Sequence, residues 1–214
     1  MCQVQTRCDA EHALSCGADV IVAQGAEAGG HGERRSTFTL VPEIADLIAA
    51  RGANSLLCAA GGIADGRGLA AALMLGADGV VVGSRFWATQ EANVSPRMHW
   101  RALVASGDDT VRSRVMDIAR KLAWPERYTA RVLRNAFTER WHGRERELLA
   151  VADEEAEKYR RAWLEGDPEG SNTFIGEAVG LISSIEPTVE VLERMAREAE
   201  DLLIAGPRAL CPQS

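Results

Sequence analysis

The chain has 214 residues, of which 46% are hydrophobic and 26% are charged, so it can bury a core and is not intrinsically disordered. Its formal net charge of −7 argues against a nucleic-acid partner, because proteins that bind the phosphate backbone need a basic face. No apolar run approaches the roughly 20 residues that span a bilayer, and the N-terminal segment lacks a signal-peptide pattern. We therefore expect a soluble, cytoplasmic protein with no membrane partner, built as one domain or one domain with an appendage.

The cysteines give no sign of a disulfide framework or of a metal site. Five occur in the chain without any CxxC pair, namely Cys2, Cys8, Cys16, Cys58 and Cys211. Structural zinc sites and sets of disulfides need closer or paired spacing. We therefore predict five free thiols in a reducing compartment and no bound metal.

Short apolar runs alternate with helical segments along the first ninety residues. The predicted strands cover residues 2–6, 18–23, 54–62 and 77–84. The predicted helices are one capped by Asp9 and ending at Gly17, one over 42–52 with Pro42 in its first turn, one over 66–76 opened by Asp65, and one beginning at Ser84. Strands that are apolar on both faces and alternate with helices indicate a parallel α/β sheet, which fits an open doubly wound fold or a barrel.

From about Val94 onward, charged amphipathic segments dominate the sequence. Helices are predicted over residues 96–106, 108–122, 144–166 and 186–203, with a polar break at 166–172 and a short apolar piece at 176–185. This change of character predicts two parts. Residues 1–93 form a barrel portion, and residues 94–214 form a helical extension that packs on it.

Three glycine-rich loops each follow a predicted strand, at residues 24–32, 60–66 and 83–86. Ligands of parallel α/β folds bind outside the carboxyl ends of the strands, which is where these loops lie. Glycine lets a phosphate approach backbone N–H groups that a side chain would otherwise block. Two consecutive units with such loops are what the phosphate site of a (β/α)₈ barrel requires. The pattern is not GxGxxG, so a Rossmann dinucleotide site is a poor match.

Five motifs together make the resemblance to a known family specific. They are QGAEAGGH at 24–31, AAGGIADGRG at 59–68, GADGVVVGSRF at 76–86, RNAFTERW at 134–141 and GEAVGLISSIEP at 176–187. With them the chain resembles nitronate monooxygenases from about Gln3 to Ala199. The resemblance implies an FMN-dependent (β/α)₈ TIM barrel, of which this chain carries about the last four βα units, with a helical C-terminal extension.

The resemblance also assigns roles to individual residues. It implies that FMN contacts Gln24 and Gly29, and that the FMN phosphate is held by Gly61 or Gly62 together with Val81, Val82, Gly83 and Ser84. His31 matches the active-site histidine of the family, placed to orient an anionic substrate or to move a proton. We expect Glu27 to bond loop backbone and Arg85 to pair with a carboxylate rather than with phosphate.

The activity implied by the resemblance is oxidation of alkyl nitronates with O2 to carbonyl compounds and nitrite, using FMN. A flavin-type enoyl-acyl-carrier-protein reductase is the nearest enzymatic alternative, because it shares the fold and the phosphate loops. A truncated, non-catalytic remnant is the alternative from a different class.

The sequence departs from the family pattern at its beginning. Four βα units that open the family barrel are not seen, so the strand at residues 2–6 corresponds to the fifth of eight. We therefore expect a truncated chain or a fragment that leaves two strand edges unpaired and one side of the core open. Weak FMN binding and self-association through the open edges are the expected consequences.

Overall fold

The computed structural model describes the backbone of residues 1–210. Its strands are, in chain order, β1 (Cys2–Val4), β2 (Val20–Gln24), β3 (Gly30–Gly32), β4 (Leu56–Ala60), β5 (Gly79–Val81), β6 (Thr110–Ser113) and β7 (Thr129–Leu133). Its α-helices are α1 (Arg7–Ser15), α2 (Thr37–Arg51), α3 (Gly66–Met74), α4 (Ser84–Trp87), α5 (Pro96–Leu103), α6 (Val115–Ala119), α7 (Ala136–Trp141), α8 (Glu145–Ala150), α9 (Ala152–Leu164) and α10 (Thr188–Leu210). Short 3₁₀ turns cover Gly107–Asp109 and Glu177–Leu181.

Four parallel strands form the main sheet, in the order β1-β2-β4-β5. One face of this sheet packs against the helices through buried apolar residues, namely Val4, Ile21, Ala23, Leu57 and Ala59. The same core takes in α2 and, through Val191 and Met195, the long helix α10. The predicted α/β class with a parallel sheet is therefore confirmed.

The other face of the main sheet is partly open. Leu56 on β4 has 53% of its surface exposed, and Val81 on β5 has 42%. Within residues 1–210, β1 and β5 each have a neighbour on one side alone. The sheet therefore carries the two free edges and the uncovered inner face expected of part of a barrel. No helix in this part of the chain has a stretch long and apolar enough to cross a membrane.

The helix ends agree with the sequence predictions in two places and differ in one. The Asp65 side chain accepts a hydrogen bond from the Gly68 N–H at the start of α3, and Gly52 ends α2 with φ of 58°, both as predicted. Helix α1 is capped by Thr6, whose hydroxyl accepts from the Asp9 N–H at 3.1 Å. The predicted Asp9 cap is wrong because Thr6 satisfies the free N–H groups three residues earlier.

Helix α2 begins five residues before the predicted position. It starts at Thr37, whose N–H donates to both carboxylate oxygens of Glu27 at 3.0 Å. Pro42 therefore lies inside the helix and leaves the carbonyl of Phe38 without its helical donor. The negative charge of the Glu27 carboxylate near the N-terminus of α2 is also stabilised by the helix dipole. Glu27 lies outside the helix, so the sequence around residues 37–42 did not reveal this earlier start.

A second sheet joins the two parts of the sequence. Its strands run antiparallel in the order β3-β7-β6, so residues 30–32 of the first glycine loop pair with residues 129–131. The helix predicted over 108–122 is wrong, since this segment forms β6 and then the short helix α6. In β6, Val111 packs into the core while Arg112 reaches the loop on the opposite face, which is strand alternation in a charged segment. The extension is thus not purely helical, and the division at residues 93 and 94 stays a prediction.

The other helices predicted from the sequence are present, although α7 was not predicted. The segment 144–166 forms α8 and α9 with a break at Val151, and the segment 96–106 forms α5. Cys2, Cys8, Cys16 and Cys58 are free thiols, as predicted, and Cys211 lies outside the described residues. Burial, reinforced by Asp78, raises the pKa of the Cys58 thiol, which keeps this thiol protonated near neutral pH.

Candidate active site

A cavity of about 310 Å³ opens at the carboxyl ends of the parallel strands. This volume lies at the lower end of the range of about 300–1,000 Å³ that small-molecule sites occupy. The cavity is lined by all but one of the residues predicted to bind FMN, namely Gln24, Gly29, Gly61, Gly62, Val81, Gly83 and Ser84. The exception is Val82, whose side chain packs against the helix-facing core.

The second glycine loop adopts a backbone that only glycine accommodates easily. Gly61 and Gly62 have φ of 104° and 76°, in the left-handed region. A Cβ at Gly61 would also lie 3.0 Å from the Thr37 hydroxyl and 3.1 Å from the Ala28 nitrogen. Gly83 differs, because a Cβ there would meet no atom of the described residues within 4 Å. The positive φ angles thus favour glycine at positions 61 and 62, whereas Gly83 leaves open space beside the cavity.

The segment after Thr173 returns to the cavity and touches the first glycine loop backbone to backbone. A Cβ at Gly29 would lie 2.6 Å from the carbonyl carbon of Ile175, and a Cβ at Gly176 would lie 2.5 Å from the carbonyl oxygen of Glu27. The Glu177 N–H donates to the same Glu27 oxygen at 2.9 Å. Close approach therefore requires glycine on both sides, which accounts for Gly29 in the first motif and for Gly176 in the last.

Ser84 connects this returning segment to the third glycine loop. Its hydroxyl oxygen accepts a hydrogen bond from the Gly176 N–H at 2.8 Å. Among the described residues the hydroxyl hydrogen of Ser84 has no acceptor, so it can donate to an anion in the cavity. Phe174 and Ala178, on either side of Gly176, also line the cavity.

Gln24 organises the floor of the cavity. Its side-chain carbonyl accepts hydrogen bonds from the amides of Gln5, at 2.7 Å, and Gln3, and its own amide donates to the carbonyl oxygen of His31 at 3.1 Å. Gln3 lines the cavity as well, a position that the sequence analysis did not single out. The signal for it was present, because Gln3 and Gln5 lie two residues apart on one face of a predicted strand.

Glu27 has the structural role expected from the sequence. Its carboxylate receives the Thr37 N–H and the Thr37 hydroxyl, the latter at 2.9 Å. The same hydroxyl lies 3.0 Å from the carbonyl oxygen of Gly61. Glu27 and Thr37 thus tie the first glycine loop to the second.

Two arginines that the sequence analysis did not identify hydrogen-bond to the backbone of the first glycine loop. Arg112 and Arg131 both donate to the carbonyl oxygen of Ala26, at 3.0 and 2.9 Å, and Arg131 also pairs with Glu177 at 2.8 Å. Burial, together with the neighbouring charge of Arg131, lowers the pKa of Arg112 to about 10, so its guanidinium stays charged at neutral pH. Both arginines lie in segments whose strand character was hidden by charged residues.

His31 lies on β3, one residue beyond the cavity-lining Gly30, and its side chain does not itself line the cavity. Its Nε2 is 2.9 and 3.0 Å from the two carboxylate oxygens of Asp117. The imidazole ring stacks on the indole of Trp124 with centroids 3.9 Å apart and planes inclined by 12°. Phe174, which lines the cavity, lies 6.4 Å from the imidazole between ring centroids. Asp117 and Trp124 both belong to the connection between β6 and β7 and were not predicted.

Arg85 does not face the cavity, in agreement with the sequence prediction. It is 3% exposed, donates to the carbonyl oxygens of Ser184 and Ala88, and lies 3.6 Å from the carboxylate of Glu186. Hydrogen bonds from Arg194 and Ser184 lower the pKa of Glu186 to about 2. Glu186, which pairs with both Arg85 and Arg194, thus connects the third glycine loop to α10.

The motifs and the fold agree with comparison to known proteins. A family model described as nitronate monooxygenase matches residues 2–198. The chain belongs to the nitronate monooxygenase family. Among relatives in this family, the nitronate monooxygenase npaC of Metarhizium robertsii is 38% identical over 197 residues, which cover 86% of this chain and 53% of that protein. The chain therefore spans about half the length of the curated relatives it matches.

Solved structures of TIM-barrel enzymes extend the similarity to the fold. FabK from Thermotoga maritima superposes with a TM-score of 0.81 at 35% identity, covering 97% of this chain and 62% of that one. A nitroalkane oxidase from Streptomyces ansochromogenes superposes with a TM-score of 0.76 at 25% identity, covering 95% of this chain and 58% of that one. Nearly all of this family member thus matches a little over half of each larger enzyme.

Proposed function

We propose that this chain carries the flavin-phosphate side and the active-site histidine of an FMN-dependent nitronate monooxygenase, which converts alkyl nitronates and O2 to carbonyl compounds and nitrite. The proposal is carried by the spatial clustering of the predicted residues. Residues from three separate glycine loops, predicted one by one from sequence motifs, line a single cavity at the carboxyl ends of the strands.

The residues present suit the phosphate end of FMN. Gly61 and Gly62 have no side chain to keep an anion from their backbone, and Gly83 leaves open space beside the cavity. Ser84 has a hydroxyl hydrogen free to donate. Among the described residues no acidic side chain lines this cavity, so a dianionic phosphate meets no like charge from them. The backbone of Val82 is proposed to contribute as well, while its side chain supports the core.

When bound, FMN supplies the electron-transfer chemistry between nitronate and O2. The chain's own residues then have positioning tasks. Gln24 is proposed to contact the flavin while it holds Gln3 and the carbonyl of His31 in place. His31 is proposed to orient the anionic substrate or to move a proton beside the cavity. Phe174 lines the cavity with its ring centroid 6.4 Å from that of the imidazole, and it is proposed to help exclude water.

Visible absorbance after incubation with FMN and desalting tests the proposal. We expect a retained, shifted flavin band, and oxygen uptake on addition of an alkyl nitronate. The variant Gly83→Leu places a side chain where no protein atom lies within 4 Å, so it is expected to fold and to lose the flavin. Gly143→Asn is the matched control, because Gly143 is exposed, lies away from the cavity and has a φ of 81° that asparagine tolerates.

Two results would redirect the assignment. Oxidation of NADH or NADPH by the flavin-loaded chain without nitronate would favour the enoyl-acyl-carrier-protein reductase. Complete loss of flavin on desalting would favour a non-catalytic remnant, or a half site that needs the rest of a barrel against the exposed face around Leu56 and Val81. Sedimentation of the chain at increasing concentration tests the expected self-association through the free strand edges.

A further inference from the structure

We propose that Asp117 is the positioning residue of His31: it fixes the imidazole with its proton on Nε2 and leaves Nδ1 as the nitrogen available for chemistry. The part concerning the hydrogen bond and the proton position stands on geometry alone. The part concerning chemistry rests on the proposed function.

The contact between the two side chains determines where the proton lies. Both carboxylate oxygens of Asp117 are within 3.0 Å of the His31 Nε2. An ionised carboxylate has only lone pairs to offer, so the shared hydrogen belongs to Nε2. A carboxylate bound to one ring nitrogen sets the tautomer of a histidine in this way in proteins generally.

The Asp117 carboxylate is buried, and among the described residues His31 is its one side-chain partner. It is 3% exposed, and among the described residues its carboxylate has neither another hydrogen bond nor an ion pair with lysine or arginine. A carboxylate buried without a partner would be strongly destabilising, as is one left behind when a buried ion pair is broken. The bond to His31 is therefore the interaction that accounts for an aspartate at this buried position.

The orientation of the ring is fixed by a second residue of the same connection. Trp124 covers one face of the imidazole in nearly parallel stacking. The stacking and the hydrogen bond to Asp117 together restrict the orientation of the ring. Asp117 and Trp124 flank Lys121, which has a left-handed φ of 56°. The connection between β6 and β7 thus brings both partners to β3, although they are far from His31 in sequence.

The opposite ring nitrogen remains accessible. Within the described part of the chain, Nδ1 of His31 has no hydrogen-bond partner, and it is not among the buried polar atoms that lack one. With Nε2 engaged, Nδ1 is the atom that can accept a proton from a substrate. Once protonated, it can donate a hydrogen bond to an anionic oxygen, and the Asp117 carboxylate offsets the positive charge.

Nuclear magnetic resonance of the ¹⁵N-labelled chain tests the proposal without flavin or substrate. We expect a one-bond ¹H–¹⁵N signal from a slowly exchanging imidazole N–H, assigned to Nε2 by its long-range couplings and to His31 by its absence in His31→Gln. In the same spectrum, recorded at pH 8, Nδ1 should show no attached proton. A proton on Nδ1, or the absence of any slowly exchanging imidazole N–H from His31, overturns the proposal.

Substitution of Asp117 separates positioning from simple packing. Asp117→Leu, which replaces the carboxylate by an apolar group of similar size, should abolish the slowly exchanging signal while the folded spectrum persists. Asp117→Asn is the second variant, and it should move the signal upfield and speed its exchange because a neutral acceptor replaces a charged one. Glu126→Gln is the matched control, on the same connection with 92% of its side chain exposed, and should leave the signal unchanged.

The outcomes distinguish this proposal from the proposed function. Persistence of an unchanged signal in folded Asp117→Leu or Asp117→Asn would contradict the role of Asp117. Loss of flavin on desalting, with the expected signals intact, would contradict the proposed function and leave the role of Asp117 standing.

Discussion

The two sides of the candidate site are built in different ways. The proposed phosphate side consists of glycine loops that follow strands of the parallel sheet, and its shape depends on backbone conformation at Gly61 and Gly62. The histidine side consists of side chains from distant segments, as with His31 on β3 of the antiparallel sheet and Asp117 on α6. Backbone geometry is encoded locally, whereas side-chain pairing depends on distant segments. The two sides should therefore respond differently to substitution.

The largest effect is expected where the two sides meet, at Gly176. In Gly176→Ala the added methyl group would lie 2.5 Å from the Glu27 carbonyl oxygen and 2.9 Å from the Gly29 nitrogen, so backbone must move. We expect a loss of about 2–3 kcal/mol in the free energy of unfolding, with loss of any FMN retention. Urea unfolding and flavin absorbance measure both.

Gly79→Ala provides the control for this substitution. A methyl group there meets only the Cys58 sulfur, at 3.9 Å. Equal stabilities of the two variants would show that the close contact at Gly176 is not what requires glycine.

The next largest effect should come from Arg112, which lies beneath the first glycine loop. In Arg112→Met the carbonyl oxygens of Ala26 and Gly32 lose a charged donor, which should cost about 2 kcal/mol. Flavin retention should weaken because the loop is no longer held against the antiparallel sheet. Arg146→Met, at an exposed arginine with no ion pair in the described part of the chain, should change neither quantity.

A smaller, pH-dependent effect is expected behind the phosphate side, at Glu186. Its pKa is lowered from 4.5 to about 2, so its stabilising contribution is fully present above pH 4.5 and is lost as the pH falls through about 2. Glu186→Gln should therefore lower the free energy of unfolding by about 1–2 kcal/mol at pH 7, after allowance for its partial exposure, and by less at pH 3. Chemical denaturation at both pH values measures the difference.

Glu193→Gln, on the exposed face of α10, serves as the control for this titration. A penalty for Glu186→Gln that is the same at pH 7 and pH 3 would mean that its ionisation does not fasten the helix.

The smallest effect is expected from the stacking partner of the histidine. Trp124→Leu removes an aromatic contact at a side chain that is 40% exposed, and should cost about 0.5–1 kcal/mol. Retention of flavin should be unaffected, because Trp124 does not line the cavity. Loss of flavin in this variant would show that the two sides are coupled more tightly than their separate construction indicates.

The sequence predicted the parallel sheet and most of the cavity lining, since both depend on local patterns. Buried strands with β-branched residues and glycine loops at their ends are visible within windows of about ten residues. Glu27 and Arg85 were also predicted correctly, as a loop-bonding carboxylate and a carboxylate-paired arginine.

The rest could not be predicted, for reasons that particular residues illustrate. Asp117 lies 86 residues from His31, in a segment whose charged residues follow a helical pattern. Strand β6 is four residues long, too short for its alternation to stand out. The family pattern treats Val81 and Val82 alike, whereas successive residues of an extended chain point to opposite faces, so one side chain lines the cavity and the other supports the core.

The backbone contact between Gly29 and Gly176 also constrains the order of folding. Most of the chain separates these two residues, so closing this contact carries the entropy cost of a long loop. The parallel sheet can form from neighbouring segments much earlier, because only the first glycine loop, which contains β3, and helix α2 separate β2 from β4. The cavity should therefore mature in one of the last steps of folding, and a flavin added during refolding should trap the finished site rather than accelerate its assembly.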